Sequence, residues 1–276
     1  MEALRKTISD SERMRAKIIA ALACAVASIW VLTILLPDNL ILNTPISVAI
    51  TSGIAISAAI AVVAKQKTTG LYGRTHVALA IGLACWFAGQ MIWTYDNIIV
   101  GKEPTQLSLA DIPWLALYGF GGYYVFKIYR FFGYSVNRYH FAVVVSSVAL
   151  IIAYTTYSIL DSPERIESPV VAAVRILYPL GDAVLLVPSV LLLITLRHGL
   201  LTYTPWLFAS VALVLIAAAD ILFTNISLLG AFDLLPIAFP LYNAGNLTLA
   251  GALIWYSRFG IYDQNKAADS FKEKNR

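Results

Sequence analysis

Long uninterrupted apolar runs constrain the fold of this chain more than any other feature of its sequence. A helix of about 20 apolar residues crosses the hydrocarbon core of a bilayer and satisfies its own backbone hydrogen bonds there. Hydrophobic residues make up 59% of the 276 residues and charged residues only 13%, which is too little charge for the surface of a soluble domain of this size. We therefore expect an all-α, polytopic membrane helix bundle.

A hydropathy window of about 19 residues predicts about eight transmembrane helices. The predicted spans are 17–37, 45–65, 76–97, 109–132, 139–160, 169–197, 204–226 and 235–258. The gaps between them are short and carry turn-forming or charged residues, as in "GYSVNR" and "DSPERIESP". The expected organisation is an N-terminal segment over 1–16, a transmembrane bundle over 17–260 and a tail over 261–276.

The distribution of lysine and arginine predicts the orientation of the bundle. Basic residues precede the first span, follow the second, sixth and eighth, and surround the end of the fourth, whereas the opposite loops hold only Lys102 and Arg165, each beside acidic residues. Because cytoplasmic loops carry the excess of lysine and arginine, both termini are expected in the cytoplasm of a multi-pass protein of the cell membrane. These loops also account for the net charge of +4, so we expect no nucleic acid as a partner.

Polar side chains inside the predicted spans gather towards the outer side of the membrane. An unpaired charge near the centre of a span costs about 2.5–3.5 kcal/mol, so such residues should face one another or water. Helical spacing places Arg175, Tyr178 and Asp182 on one stripe. Together these positions predict an outward-facing polar cavity. The candidate ligand-binding residues are Gln90, Asp111, Arg175, Tyr178, Asp182, Asp220, Asn243 and Asn246.

Structural roles compete with ligand binding at several of these positions. Asp111 follows Ser108 with the spacing of a capping box, which favours a helix cap over a ligand contact. Arg175 could equally anchor its helix at the interface, and the two candidate asparagines are typical of hydrogen bonds between spans. Asp96 is expected to be solvated at the outer interface. An interfacial belt or core position is expected for Trp86, Trp93, Trp114, Trp206 and Trp255.

The remaining titratable residues give no signature of a metal or cofactor. His76, His140 and His198 fall at the predicted cytoplasmic ends, away from the aspartates, so no pairing of histidine with carboxylate is expected. Cys24 and Cys85 lie inside spans and supply neither a disulfide framework nor a zinc site. A mid-span lysine for a retinal Schiff base is also absent from the sequence. We expect no cofactor.

Four stretches of the sequence support a family resemblance. They are "GQMIWTYDNIIVGKEPTQLSLADIPWLALYGF" (89–120), "YPLGDAVLLVPSVLLL" (178–193), "AAADILFT" (217–224) and "LYNAGNLTLAGALIWY" (241–256). In this order they resemble the multi-span membrane region at the N-terminus of bacterial diguanylate cyclases and some histidine kinases. The resemblance singles out Asp111, Asp182, Asp220 and, more weakly, Gln90, and it implies membrane sensing or anchoring. Because 18 residues follow the last predicted span in this sequence, we expect no output domain within it.

Three functions remain open on this basis. The first is a sensor-like or accessory module that acts through a protein partner or a homo-oligomer, in contact with membrane lipids. The second is a lipid-modifying enzyme using Asp182 and Asp220, as implied by a fainter likeness to the eight-span lysoplasmalogenase group. The third is a carrier of protons or small ions. A partner interface is expected on the small-residue face of Gly53, Ser57 and Ala61 or at the cytoplasmic ends, unless that face packs inside the bundle.

Overall fold

The computed structural model of the chain describes residues 2–36, 44–66, 70–102, 107–132, 136–161, 168–196 and 200–260. All regular secondary structure in these ranges is helical. Eight long helices follow one another along the described ranges. They are α1 (Glu2–Leu35), α2 (Pro45–Gln66), α3 (Gly70–Tyr95), α4 (Asp111–Phe132), α5 (Arg138–Leu160), α6 (Pro169–Leu196), α7 (Leu200–Leu229) and α8 (Phe239–Trp255).

Six of these helices are long and apolar enough to cross a membrane, judged by length and composition: α2, α3, α5, α6, α7 and α8. This confirms an all-helical chain whose composition suits a multi-pass membrane protein. The apolar stretch of α1, Ile19–Thr33, is shorter. Three glycines and four tyrosines lower the hydropathy of α4.

The helices differ from the predicted spans mainly at their ends. A π-helical turn, Asp96–Val100, extends α3 and ends at Gly101, whose φ of 74° lies in the left-handed region that glycine adopts readily. A 3₁₀ turn, Phe232–Ile237, precedes α8 and contains Pro236, which helps to explain why α8 begins later than hydropathy indicates. Helix α1 begins at Glu2 and runs unbroken through the segment predicted over 1–16, while the predicted tail lies outside the described residues.

The packing of the helices divides them into a ring and two outer members. Contacts between neighbours link α2, α3, α4, α6, α7 and α8 in turn, and α8 closes the ring by packing against α2. Helix α5 packs outside this ring against α6 and α7, and α1 packs outside it against α8. The ring therefore surrounds the interior of the bundle.

The two ends of the ring have different interiors. We call the end where α2 stops at Gln66 the closed end, and the end where α3 gives way to α4 the cavity end. The closed end is filled by a buried cluster that includes Val62, Leu79, Leu192 and Tyr256. His76 stacks on Tyr256 at 4.3 Å between ring centroids, and the Gln66 side-chain amide donates a hydrogen bond to the Tyr256 hydroxyl.

Candidate functional site

A cavity of about 110 Å³ lies inside the cavity end, with walls from the six helices of the ring and from the segment just before α4. Seven residues of its wall are aromatic: Trp86, Trp93, Trp114, Tyr178, Phe223, Phe239 and Tyr242. The polar part of the wall is formed by Gln90, Ser108, Asp111, Arg175, Asp220, Thr224 and Ser227. Five of the eight residues predicted from the sequence therefore line one cavity.

Asp220 and Asp182 converge on a single tyrosine. The Tyr118 hydroxyl lies 2.9 Å from Oδ1 of Asp182 and 3.4 Å from Oδ2 of Asp220. The hydroxyl carries one proton, so it donates to one carboxylate at a time, and the shorter distance favours Asp182. The Tyr242 hydroxyl donates to Oδ1 of Asp220 at 2.5 Å. These contacts join α4, α6, α7 and α8 around the base of the cavity.

Asp182 itself lies behind the cavity wall. Its side chain is buried, whereas Asp220 is half-buried and lines the cavity. The approach of Tyr118 to α6 depends on Gly181, because a Cβ at that position would lie 2.4 Å from the tyrosine ring. Pro179 lies within the same turn of α6 and supplies no backbone N–H there. Asp182, a candidate ligand residue from the sequence, is therefore not among the residues that line the cavity; the Tyr118 hydroxyl connects it to Asp220, which does line it.

Asp111 combines the two roles that the sequence left open. Its Oδ2 accepts a hydrogen bond from the Ser108 N–H at 2.8 Å, and the Ser108 hydroxyl accepts one from the Ala110 N–H at 3.0 Å, which together cap α4. Its Oδ1 accepts a hydrogen bond from the Tyr178 hydroxyl on α6 at 2.6 Å. The carboxylate is thus held as a cap and still lies in the cavity wall.

The prediction that Asp96 is solvated is wrong. Asp96 is buried, and its Oδ2 lies 3.1 Å from the Lys102 ammonium and accepts a hydrogen bond from the Ser108 hydroxyl at 2.6 Å. The left-handed turn at Gly101 directs the chain back, so that Lys102 reaches the helix end that precedes it. These contacts join the residue just before α4, Ser108, to the end of the α3 extension beside the cavity.

The two candidate asparagines lie outside the cavity wall, in a polar seam between α8 and α2. Asn243 Nδ2 donates to the Ser47 hydroxyl at 3.0 Å, and its Oδ1 accepts from the Thr51 hydroxyl at 2.8 Å. Asn246 Nδ2 donates to Thr51 Oγ1 at 3.1 Å. Their assignment as ligand residues is therefore not matched by their position, because the face of α8 that carries them packs on a helix rather than on open space.

Gln90 and Arg175 lie in the wall as predicted. Gln90 is only 4% exposed, and its side-chain amide makes no hydrogen bond to any other residue that the structure describes. Asp111 and Asp220 likewise form no ion pair with a described lysine, arginine or histidine. Tyrosine hydroxyls, which are neutral, are the side-chain donors to both cavity carboxylates. The wall therefore contains two carboxylates, those of Asp111 and Asp220, and the guanidinium of Arg175.

Sequence analysis missed the tryptophans of the wall by assigning them to a belt or core. Their spacing carries a signal that could have found them. Trp86, Gln90 and Trp93 recur at i, i+4 and i+7 on α3, and Asp111, Trp114 and Tyr118 at i, i+3 and i+7 on α4. On each helix an aromatic stripe therefore shares its face with a predicted polar site residue.

Neither a metal group nor a known relative identifies the site. In the part of the chain that the structure describes, no three histidine, cysteine, aspartate or glutamate side chains form a group that could hold a metal ion. Comparison of the chain with known protein families, with curated proteins and with solved structures finds no match.

Proposed function

We propose that this chain is a multi-pass protein of the cell membrane, a sensor-like or accessory module that receives a small ligand in its cavity and acts through a partner chain. In this proposal α1 and α4 join the six apolar helices as spans, which gives eight and leaves both termini in the cytoplasm. The basic residues of the sequence support this orientation. The cavity then opens towards the outer side of the membrane.

The observation that carries the proposal is that the cavity occupies one end of the ring. Its wall residues come from the cavity end of the bundle, and its base is followed by buried apolar residues such as Leu185, Leu213 and Leu249. A binding module needs access to its site from one side of the membrane, and the cavity end provides it. A carrier opens to each side in turn, so it would need a second state in which the packing of the closed end separates.

A lipid-modifying enzyme is retained as a second candidate because of one specific contact. Two carboxylates near one hydroxyl resemble arrangements in which an acid and a base have different proton affinities. Tyr118 is placed between Asp182 and Asp220 in this way. Of the two carboxylates, however, only Asp220 lines the cavity. Hydrolysis of a lysolipid by the purified chain, lost in Asp220→Asn, would favour this candidate over the binding module.

Access to the cavity can be tested with single cysteines on α7. In a background with Cys24→Ala and Cys85→Ala, Thr224→Cys places a thiol in the cavity wall, and Ser210→Cys places one in the packed interior of the same helix. The two positions lie about 21 Å apart along the helix axis. We expect a small membrane-impermeant methanethiosulfonate to modify Thr224→Cys from outside intact cells and to leave Ser210→Cys unmodified.

The same experiment separates the alternatives. Modification of Thr224→Cys from both faces of the membrane would indicate a carrier. If Thr224→Cys is modified from neither face, the cavity is not a site open to solutes and the binding proposal fails.

A further inference from the structure

The chemistry of the cavity wall indicates the class of ligand, an inference that rests on the proposed function. We propose that the cavity binds a small organic cation, one that carries an ammonium or methylated ammonium group, between the rings of Trp86, Trp93, Trp114 and Tyr242 and beside the Asp220 carboxylate. Choline and ethanolamine are the simplest members of this class that also carry a hydroxyl group.

The arrangement of the rings is the first argument. Trp86 lies 5.7 Å from Tyr242 and 6.2 Å from Trp114, and Trp93 lies 6.0 Å from Trp114, measured between ring centroids. Their planes are inclined at 40°, 41° and 56°, so the rings are tilted against one another and are not stacked, and all four border the cavity. A cation within about 6 Å of several ring centroids is attracted by the negative faces of the rings, most strongly where water is excluded.

The charge of the cavity wall also favours a cation. Buried carboxylates are normally paired with a cation, and a charge inside a membrane bundle needs such a partner even more. Asp220 and Asp111 have tyrosine hydroxyls as side-chain donors and form no ion pair with a described residue. Arg175 is the cationic side chain of the wall, against the carboxylates of Asp111 and Asp220, and Asp182 adds a third carboxylate behind the wall. A cation in the cavity would offset this negative charge.

The cavity wall also offers a hydrogen-bond donor. The Gln90 side chain lines the cavity, and its amide makes no hydrogen bond to another residue that the structure describes. A ligand that brings an oxygen acceptor next to its ammonium group would satisfy this donor. That combination occurs in free amino alcohols and in the head groups of choline and ethanolamine phospholipids.

The proposal is tested on the full chain purified in a maltoside detergent, with choline as the probe. Half of the six tryptophans of the chain lie in the cavity wall, so choline binding should change the tryptophan fluorescence in a saturable way, and calorimetry gives the Kd independently. The matched compound is 3,3-dimethylbutan-1-ol, which has the shape of choline with a carbon in place of the nitrogen. We expect it to bind at least about thirtyfold more weakly, since a desolvated cation–π contact is worth about that factor.

The variant that tests the counter-charge is Asp220→Asn, and its control is Asp161→Asn, an exposed aspartate at the end of α5. We expect Asp220→Asn to weaken choline binding at least about tenfold, as for loss of a close charge partner, and Asp161→Asn to leave it unchanged. Because the comparison of choline with its neutral analogue uses the unaltered chain, it remains decisive if Asp220→Asn does not fold.

The source of the cation is resolved by a lipid comparison. Chains in nanodiscs of phosphatidylcholine and of phosphatidylglycerol are titrated with choline. If choline binds more weakly in phosphatidylcholine nanodiscs than in phosphatidylglycerol nanodiscs, a lipid head group occupies the cavity. Equal binding in the two kinds of nanodisc indicates a free cation.

Two results would overturn the inference. One is equal affinity for choline and its neutral analogue, and the other is an unchanged Kd in a folded Asp220→Asn variant. If Thr224→Cys is modified from outside but neither choline nor ethanolamine binds, the ligand class is wrong and the binding module still stands. If Thr224→Cys is modified neither in cells nor in phosphatidylglycerol nanodiscs, where no choline head group can fill the cavity, the binding module fails as well.

Discussion

Tyr118 is the residue on which the candidate site depends most, because its hydroxyl lies within 3.4 Å of both Asp182 and Asp220. Tyr242 donates to Asp220 alone. Asp182 is buried behind the wall, while Asp220 borders the cavity, where solvent or ligand can replace a lost donor. The two tyrosines therefore provide a matched pair of substitutions.

We expect Tyr118→Phe to lower the free energy of unfolding by about 1–3 kcal/mol, the range for leaving a buried acceptor without its donor. Tyr242→Phe should lower it by less, because Asp220 can find another partner in the cavity. Thermal unfolding of the two purified variants measures the difference. A larger loss of stability in Tyr242→Phe would contradict the assignment of Asp182 as the more deeply buried carboxylate.

At the scale of the helices, the contact between α4 and α6 is set by glycine. A Cβ at Gly181 would lie 2.4 Å from the Tyr118 ring, whereas a Cβ at Gly119 would meet nothing within 4 Å. We expect Gly181→Ala to destabilise the bundle by about 1–3 kcal/mol, as overpacking does, and to displace Tyr118 from Asp182.

Gly119→Ala provides the control, with neutral or slightly higher stability, because alanine favours a helix over glycine by about 1 kcal/mol. Comparing the midpoints of thermal unfolding of Gly181→Ala and Gly119→Ala measures the difference in stability. Equal midpoints would show that the ring of Tyr118 can move away from α6 without loss.

The positions of the helices along the chain were predictable from the sequence, because each helix contains an apolar run close to the length of about 20 residues that crosses a bilayer. The rotation of a helix about its axis is harder to predict, because hydropathy indicates it only when the faces of the helix differ in polarity. In α8, 78% of the most apolar 18-residue window is buried, against 22% in α5, so nearly every face of α8 meets another helix. Hydropathy therefore cannot distinguish whether Asn243 faces the cavity or Thr51. The same limit explains why the tryptophans were assigned to a belt or core without a place in the cavity wall, as residue type indicates neither depth nor direction.

For the whole molecule, the proposed topology makes a direct prediction. Reporter fusions after residues 40, 103 and 165 should report an outside location, and fusions after residues 70 and 135 a cytoplasmic one. The reason is that lysine and arginine are concentrated in the loops of the second group. Activity of a cytoplasmic reporter after residue 103 or 165 would rule out eight spans with this orientation.

The partner required by the proposed module should occupy a surface that the bundle leaves open. Gly53 packs towards Phe87 of α3, with 3.4 Å from its added Cβ to the ring, whereas Ser57 and Ala61 are exposed. The predicted small-residue face is therefore divided between packing within the bundle and an open surface.

We expect purification from native membranes in mild detergent to recover a complex or homo-oligomer. Ala61→Leu, which adds bulk to the open surface of α2, should reduce its recovery without changing the unfolding midpoint. Its control is Ala153→Leu on the exposed face of α5, which should not reduce recovery. A monomer that acts alone on a lipid or an ion would favour the enzyme or the carrier.

The deep burial of α8 also has a consequence for the order of events during synthesis. As the last of the eight helices to leave the ribosome, α8 brings Tyr242 to Asp220 and Asn243 to Ser47 and Thr51. Until it arrives, the ring has a gap and those polar groups lack these partners. The cavity is therefore complete only once α8 has packed, and under the proposed topology the polar groups of α2 and α7 must find other partners in the membrane until then.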